Sequence, residues 1–244
     1  MLKAPSFWYQ NKITISAILL LPISLLWVIG TYFKKKFSKV LRSKIPVIAV
    51  GSAIVGGSGK TPSVIYVCEV LEKMGYKPHI ISRGYGGSAN EVIKVSPEMN
   101  YSIVGDEALM MSKYFPTWVS KNKYNAFSKA EKDGADIIVL DDALQSYNIY
   151  KNLSIYVYDS IQSFGNKLII PSGPLRETIN SVLKRSQIVF LINTNNCPKI
   201  FKNQFQQNMN YKISIKPEIR DKRLLPLLVW DLIKSFLNNF TMKD

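Results

Sequence analysis

The stretch GSAIVGGSGKT at positions 51–61 constrains the fold more than any other part of the chain. It follows a short apolar run, PVIAVG at 46–51, and precedes a segment with helical spacing from Thr61 to Met74, which Gly75 is placed to stop. Backbone N–H groups of a glycine-rich loop converge on phosphate oxygens only where side chains leave them room. The helix that follows adds its N-terminal dipole to the same anion. On this reading Ile54, Val55, Gly56, Gly57, Ser58, Gly59, Lys60 and Thr61 hold the phosphates of ATP. Lys60 would reach the β- and γ-phosphates, and Thr61 would offer its hydroxyl to Mg²⁺. The usual pattern is G-x-x-x-x-G-K-[ST], and its first glycine would fall on Ile54. The strict motif therefore fails at one position, while its strand-and-helix setting is intact.

The same alternation runs on. PHIISRG (78–84), ADIIVLDD (135–142), LSIYVYD (153–159) and QIVFLIN (187–193) read as near-continuous apolar strands, and Asp106 to Tyr114 reads as a helix between them. Strands of this kind separated by helices imply a parallel sheet covered on both faces. The expected fold is α/β, P-loop NTPase-like and doubly wound, with a mainly parallel sheet. Residues 45–195 would form this core. Residues 196–244 would form a linker and a short, incomplete C-terminal appendage, with a strand-like YKISI and a helix-like LLPLLVWDLIKSFLNNF.

Residues 1–44 differ in kind. Positions 13–33, ITISAILLLPISLLWVIGTYF, carry no charge, and Pro22 in the middle would kink or split a helix there. Such a run suits either a membrane-spanning helix or one lying in a single leaflet. It is too long for a signal peptide and lacks a cleavage site. Lys3, Lys12, Lys34, Lys35, Lys36, Lys39, Arg42 and Lys44 flank it with no acid before position 45, and the chain carries a net charge of +15. Basic residues beside an apolar run point to anionic lipid head groups, with the bulk of the chain on the cytoplasmic side. No zinc-finger or RNA-binding signature accompanies the charge, so nucleic acid is not an expected partner. Cys68 and Cys197 are distant and unpatterned, which implies neither a disulfide framework nor a zinc site.

Three further segments carry candidate chemistry. Asp141 and Asp142 end a predicted strand, where ligands of open α/β sheets sit, and an acid there can hold Mg²⁺ directly or through water. Asp106 and Glu107 open a predicted helix, a placement that dipole stabilisation alone explains. Arg83 in SRGYGG and Arg176 in PSGPLRE could each bind phosphate in a bidentate way, and each could equally be a surface charge. His79, the one histidine, starts a predicted buried strand and reads as structural.

Taken in order, the apolar N-terminal helix, VGSAIVGGSGKTP, SRGYGG, GDE, IIVLDDALQ, FGN at 164–166 and PSGPLRE resemble the tetraacyldisaccharide 4'-kinases, the lipid A 4'-kinases of Gram-negative bacteria. The resemblance covers about residues 15–195. It implies transfer of the γ-phosphoryl group of ATP to the 4'-hydroxyl of an acylated glucosamine disaccharide, at the cytoplasmic face of the inner membrane. It implies roles as well: Asp106 as the base toward the sugar hydroxyl, Thr61 and Asp141 toward Mg²⁺, and Glu107, Asp142, Gln145 and Arg176 in support. Two departures stand out. The family reads D-D-G-x-Q-H where this chain has Ala143 and Ser146, and no histidine follows His79 to supply the family's C-terminal aromatic-x-Asp-His motif. The second departure opens an alternative expectation, a truncated remnant that binds nucleotide but is impaired in turnover.

Overall fold

The computed structural model describes residues 4–10, 12–193, 198, 200–201, 214–215 and 233. Eight strands form one sheet: β1 (Val47–Gly51), β2 (Pro78–Ser82), β3 (Ile93–Lys94), β4 (Thr117–Val119), β5 (Ile137–Leu140), β6 (Leu153–Asp159), β7 (Ile188–Ile192) and β8 (Ser214–Ile215). Their order in space is β3-β4-β2-β5-β1-β6-β7-β8. Every pairing is parallel except β3 with β4 at one edge.

The central strands are buried along their length because both sheet faces are covered, and the alternation of side chains assigns each residue to a face. Along β1, Val47 and Ala49 enter one core while Ile48 and Val50 enter the other. β5 divides the same way, with Ile138 and Leu140 against Ile137 and Val139, and so does β6, with Tyr156 and Tyr158 against Ile155 and Val157. Helix α3 (Lys60–Lys73) covers the second face through Val64, Val67, Cys68, Val70 and Leu71. The first face is closed by Phe127 and Ala130 of α6 (Phe127–Lys132), by Val182 and Leu183 of α7 (Ile179–Leu183), and by Phe164 and Phe201 packed against Tyr158. Two short helices, α4 (Tyr101–Val104) and α5 (Asp106–Ser112), follow β3, and a 3₁₀ turn at Lys123–Ala126 follows β4.

The five strands expected from the sequence are present, with no boundary shifted by more than two residues. β3 and β4 were not anticipated: each is two or three residues long, too short to show a period. β8 lies inside the strand-like YKISI. The rest of the expected linker and appendage at 196–244 lies outside the described residues, apart from positions 198, 200–201 and 233.

The apolar N-terminal run forms two helices, α1 (Ile15–Leu19) and α2 (Leu21–Phe37), with the break at Leu20 and Pro22 in the first turn of α2. That is the split the proline implied. It also corrects the spanning alternative. Among the described residues no helix is long and apolar enough to cross a membrane. The 17 residues of α2 extend about 25 Å at 1.5 Å per residue, short of a hydrocarbon core of about 30 Å, and its last turn is Lys34, Lys35 and Lys36.

One side of this pair of helices is anchored to the core. Ser24 Oγ donates to the Ile169 carbonyl (2.8 Å) and accepts from the Ser172 amide (3.1 Å), and Trp27 Nε1 donates to the Arg176 carbonyl (3.1 Å). Upstream, in a 3₁₀ turn at Ser6–Tyr9, Trp8 Nε1 donates to the Pro171 carbonyl (2.9 Å). The other side is bare: Ile15, Leu19 and Leu26 are 77, 73 and 68% exposed.

Candidate active site

β1 and β5 are neighbours, so the loop after one and the acids after the other meet at the same sheet edge. The loop turns into α3 through Gly59, at φ 68°, where a Cβ would lie 2.4 Å from Ile192 Cδ1. No larger residue fits that left-handed, packed position. Among the described residues the amides of Gly56, Gly57, Ser58 and Gly59 make no hydrogen bond within the protein, while Gly56 and Gly57 face solvent. Unpaired, convergent N–H groups at a helix start form an anion site. Lys60 Nζ lies across the loop, donating to the Gly56 carbonyl (2.8 Å) and to Ser58 Oγ (3.4 Å). Thr61 is buried in the first turn of α3.

The loop is braced from outside by the PSGPLRE segment. Val55 N donates to the Pro174 carbonyl (2.9 Å), Arg176 N donates to the Ala53 carbonyl (2.8 Å), and Ile54 bridges to Leu175. Of the two candidate arginines, Arg176 turns inward and binds Asp142 through Nη1 at 2.9 and 2.8 Å. Gln145 joins this edge to a second ion pair, donating to the Ser52 carbonyl (3.1 Å) and to Glu177 Oε1 (3.0 Å), which Arg185 also holds (2.7 Å).

Asp141 and Asp142 part company at the end of β5. Asp141 is buried; its Oδ2 accepts from Ser82 Oγ (2.8 Å) and its Oδ1 has no partner among the described residues. Burial raises its pKa, and the Asp142 charge adds to that against the pull of Lys123 and Lys60. Burial also works to raise Asp142, but Lys60, Arg176 and Lys123 outweigh it and hold its carboxyl below the usual range. Asp142 sits at φ 45°, a left-handed conformation that aspartate adopts more readily than most side chains.

The orphaned Oδ1 of Asp141 is what a divalent cation would satisfy, since leaving a buried acceptor unpaired costs about 1–3 kcal/mol. Among the described residues no three acids, histidines or cysteines form a self-sufficient metal cage. A sparse set of one carboxylate and one hydroxyl, completed by phosphates and waters, is what Mg²⁺ takes in nucleotide sites. Thr61 and Asp141 fit that description.

Asp106 and Glu107 open α5 behind Gly105. Both are exposed, and Asp106 Oδ1 accepts from the Glu107 amide (3.0 Å), with no hydrogen bond to the other candidate residues. Glu107 stands at the rim of the site: crowding by protein atoms raises its pKa first, then the charges of Asp141, Asp106 and Asp142, against Lys60. Arg83 makes no ion pair among the described residues. His79 is structural: it is buried, its Nδ1 accepts from Trp118 Nε1 (3.2 Å), and burial lowers its pKa.

Two charged residues of this neighbourhood escaped the sequence reading. Lys123 is buried, and its Nζ donates to the carbonyls of Asp141 and Asp142. Its signal was hidden with β4: without that strand nothing brings position 123 beside position 141. Arg185 lies beyond the last motif and has no pattern of its own.

Residues 16–227 match the family described as tetraacyldisaccharide-1-P 4'-kinase. The tetraacyldisaccharide 4'-kinase of Jannaschia sp. (strain CCS1) is 38% identical over 192 residues, which are 78% of this chain and 58% of that protein. That of Psychromonas ingrahamii is 38% identical over 214 residues, 80% of this chain and 66% of that protein. The chain thus spans about three fifths of the length of these relatives. The crystal structure of LpxK from Aquifex aeolicus in complex with ATP superposes with a TM-score of 0.66 at 24% identity, covering 83% of this chain and 64% of that one, and shares the fold. With the family match running over most of its length, the chain belongs to the tetraacyldisaccharide 4'-kinase family.

Proposed function

We propose that this chain transfers the γ-phosphoryl group of ATP to the 4'-hydroxyl of a tetraacyldisaccharide 1-phosphate, a lipid A precursor, at the cytoplasmic face of the inner membrane. The observation that carries the reading is the meeting of four unpaired loop amides and Lys60 with the orphaned Asp141 Oδ1 at one sheet edge.

In this reading the Gly56–Thr61 amides and Lys60 take the phosphates, and Lys60 exchanges its Gly56 contact for the β- and γ-oxygens. Thr61 and Asp141 would hold Mg²⁺, with Glu107 at the rim, and the cation would neutralise charge on the transferring group. Asp106, exposed and engaged only by the next amide, accepts the proton of the sugar hydroxyl. The acceptor oxygen forms its bond to the γ-phosphorus as the bond to the β,γ-bridging oxygen breaks, and ADP leaves. Arg176 acts through Asp142: their paired bonds keep that carboxylate ionised and away from the phosphates. Most of the rate gain in such a transfer comes from positioning and charge neutralisation, which this edge supplies.

The lipid substrate and anionic head groups give the bare apolar side of α1 and α2 a purpose. Those side chains would sit in one leaflet, with Lys34, Lys35, Lys36, Lys39 and Arg42 at the head groups. The test is a radiolabel assay with γ-labelled ATP and the disaccharide precursor in mixed micelles. Label moving to the lipid is expected. ATP bound with no label transferred would refute kinase activity in this chain and leave a nucleotide-binding protein.

A further inference from the structure

Lys123 is a buried charge that the proposed transfer leaves unused. We infer that it is a positioning residue for the nucleotide–metal site: its ammonium ties down the carbonyls of Asp141 and Asp142 and so fixes the direction in which the Asp141 carboxylate faces. This rests on the nucleotide-site reading of the same edge.

The turn after β5 is held on its amide side by the sheet. Asp141 N donates to the Ile81 carbonyl (3.0 Å) and Ala143 N donates to the Val50 carbonyl (3.2 Å). Its carbonyl side points the other way, and there Lys123 Nζ meets both oxygens, that of Asp142 at 3.1 Å. Between the two, Asp142 adopts φ 45° with alanine, not glycine, following it. Aspartate tolerates this left-handed conformation better than most side chains, and the contacts around the turn hold it there. Lys123 makes two of those contacts. Its own backbone is anchored to the site: it follows β4, whose neighbour Ser120 donates its amide to the Ser82 carbonyl (3.1 Å), and Ser82 is the residue that holds Asp141 Oδ2. The Asp141 side chain is thus held from β2 and its backbone from the β4 turn, while Oδ1 stays buried without a partner among the described residues.

A packing role does not account for a lysine here. Burying an ammonium costs several kcal/mol unless it is paired, and an apolar chain of the same length would fill the space at no such cost. The compensating charges are Asp141 and Asp142, with Arg176 and Arg83 as the like charges nearby. The lysine is therefore matched to the acids and not to the core.

The experiment compares Lys123→Met, Lys123→Arg and Lys123→Gln with the parent chain, using a fluorescent ADP titrated once in EDTA and once in excess Mg²⁺. The ratio of the two affinities isolates the contribution of the metal. A residue orienting a metal ligand should lower that ratio about tenfold or more in Lys123→Met, while the EDTA affinity stays within about threefold. Lys123→Arg, which keeps the charge and donors, should recover most of it. An unchanged ratio in Lys123→Met would overturn the inference, as would an Arg variant no better than Met. If circular dichroism shows that the Met variant does not fold, Lys123→Gln is read by the same criteria. A parent chain that binds no ADP in either arm refutes the nucleotide-site reading itself, and this inference with it.

Discussion

Replacing Arg176 by methionine removes the two hydrogen bonds to Asp142 and the contact of its Nη1 with Gln145 Oε1 (3.4 Å). A hydrogen bond to a charged group contributes about 1.5–3 kcal/mol. The Arg176 and Asp142 side chains are 24 and 27% exposed, so solvent weakens the pair, and Lys60 and Lys123 remain to compensate Asp142. The expected loss is therefore about 2 kcal/mol, not the sum of two full bonds, which for a chain of this size lowers Tm by roughly 4–8 °C. Its pH dependence identifies the cause. Asp142 is held below its usual value of 3.8, so its stabilising contribution is complete above that pH and is lost as pH falls through the depressed folded value. The difference in stability between parent and Arg176→Met should be flat from pH 5 to pH 7 and shrink below about pH 3.8. Urea unfolding followed by tryptophan fluorescence at each pH measures it. A loss under about 0.5 kcal/mol at pH 7, or one that persists unchanged at pH 3, would refute the reasoning.

Gly105 has φ 86° and ψ 149°, and an added Cβ would lie 2.5 Å from the Tyr85 carbonyl oxygen. Gly105→Ala should cost at least about 3 kcal/mol and lower Tm by roughly 6–12 °C in differential scanning calorimetry. Burial pushes Lys151 down to about 8, while the unfolded chain keeps that proton until about 10.5, so the folded form gains relative stability as pH rises between those values. The stability of the parent relative to Lys151→Met should accordingly climb from pH 8 to pH 10, as read from urea midpoints. Leu19 and Leu26, exposed on α1 and α2, should matter little to folding but much to lipid. Changing both to serine should weaken cosedimentation with anionic vesicles by about tenfold or more, with Tm nearly unchanged.

What the sequence made legible is what repeats or what glycine marks. VIAVG and IIVL are apolar in every position, and LSIYVYD in all but Ser154 and Asp159, because they are buried on both faces, and that pattern needs no neighbour to be seen. The glycine-rich loop between β1 and α3 was legible through Gly56, Gly57 and Gly59, whose lack of a side chain is the feature that matters. The sheet's outer strands were not, since Ile93–Lys94 and Thr117–Val119 are too short to carry a period. Lys123 was lost with them, because its place beside Asp141 is made by the packing of β4 on β2. Pro22 announced the split in the apolar run, and among the described residues no helix is long and apolar enough to cross a membrane. The pairing of Arg176 with Asp142 was also beyond reach: composition offered two equivalent arginines, and only the antiparallel bridge of Ile54 with Leu175 brings one of them inward.

The central claim is that the loop from Val55 to Thr61 wraps a triphosphate beside Asp141. Isothermal titration of Mg-ATP into the parent chain and into Lys60→Ala tests it most directly. Removing an ammonium proposed to contact two phosphates should weaken binding about thirtyfold or more in a protein that still folds. Equal affinity in the two proteins would contradict the claim.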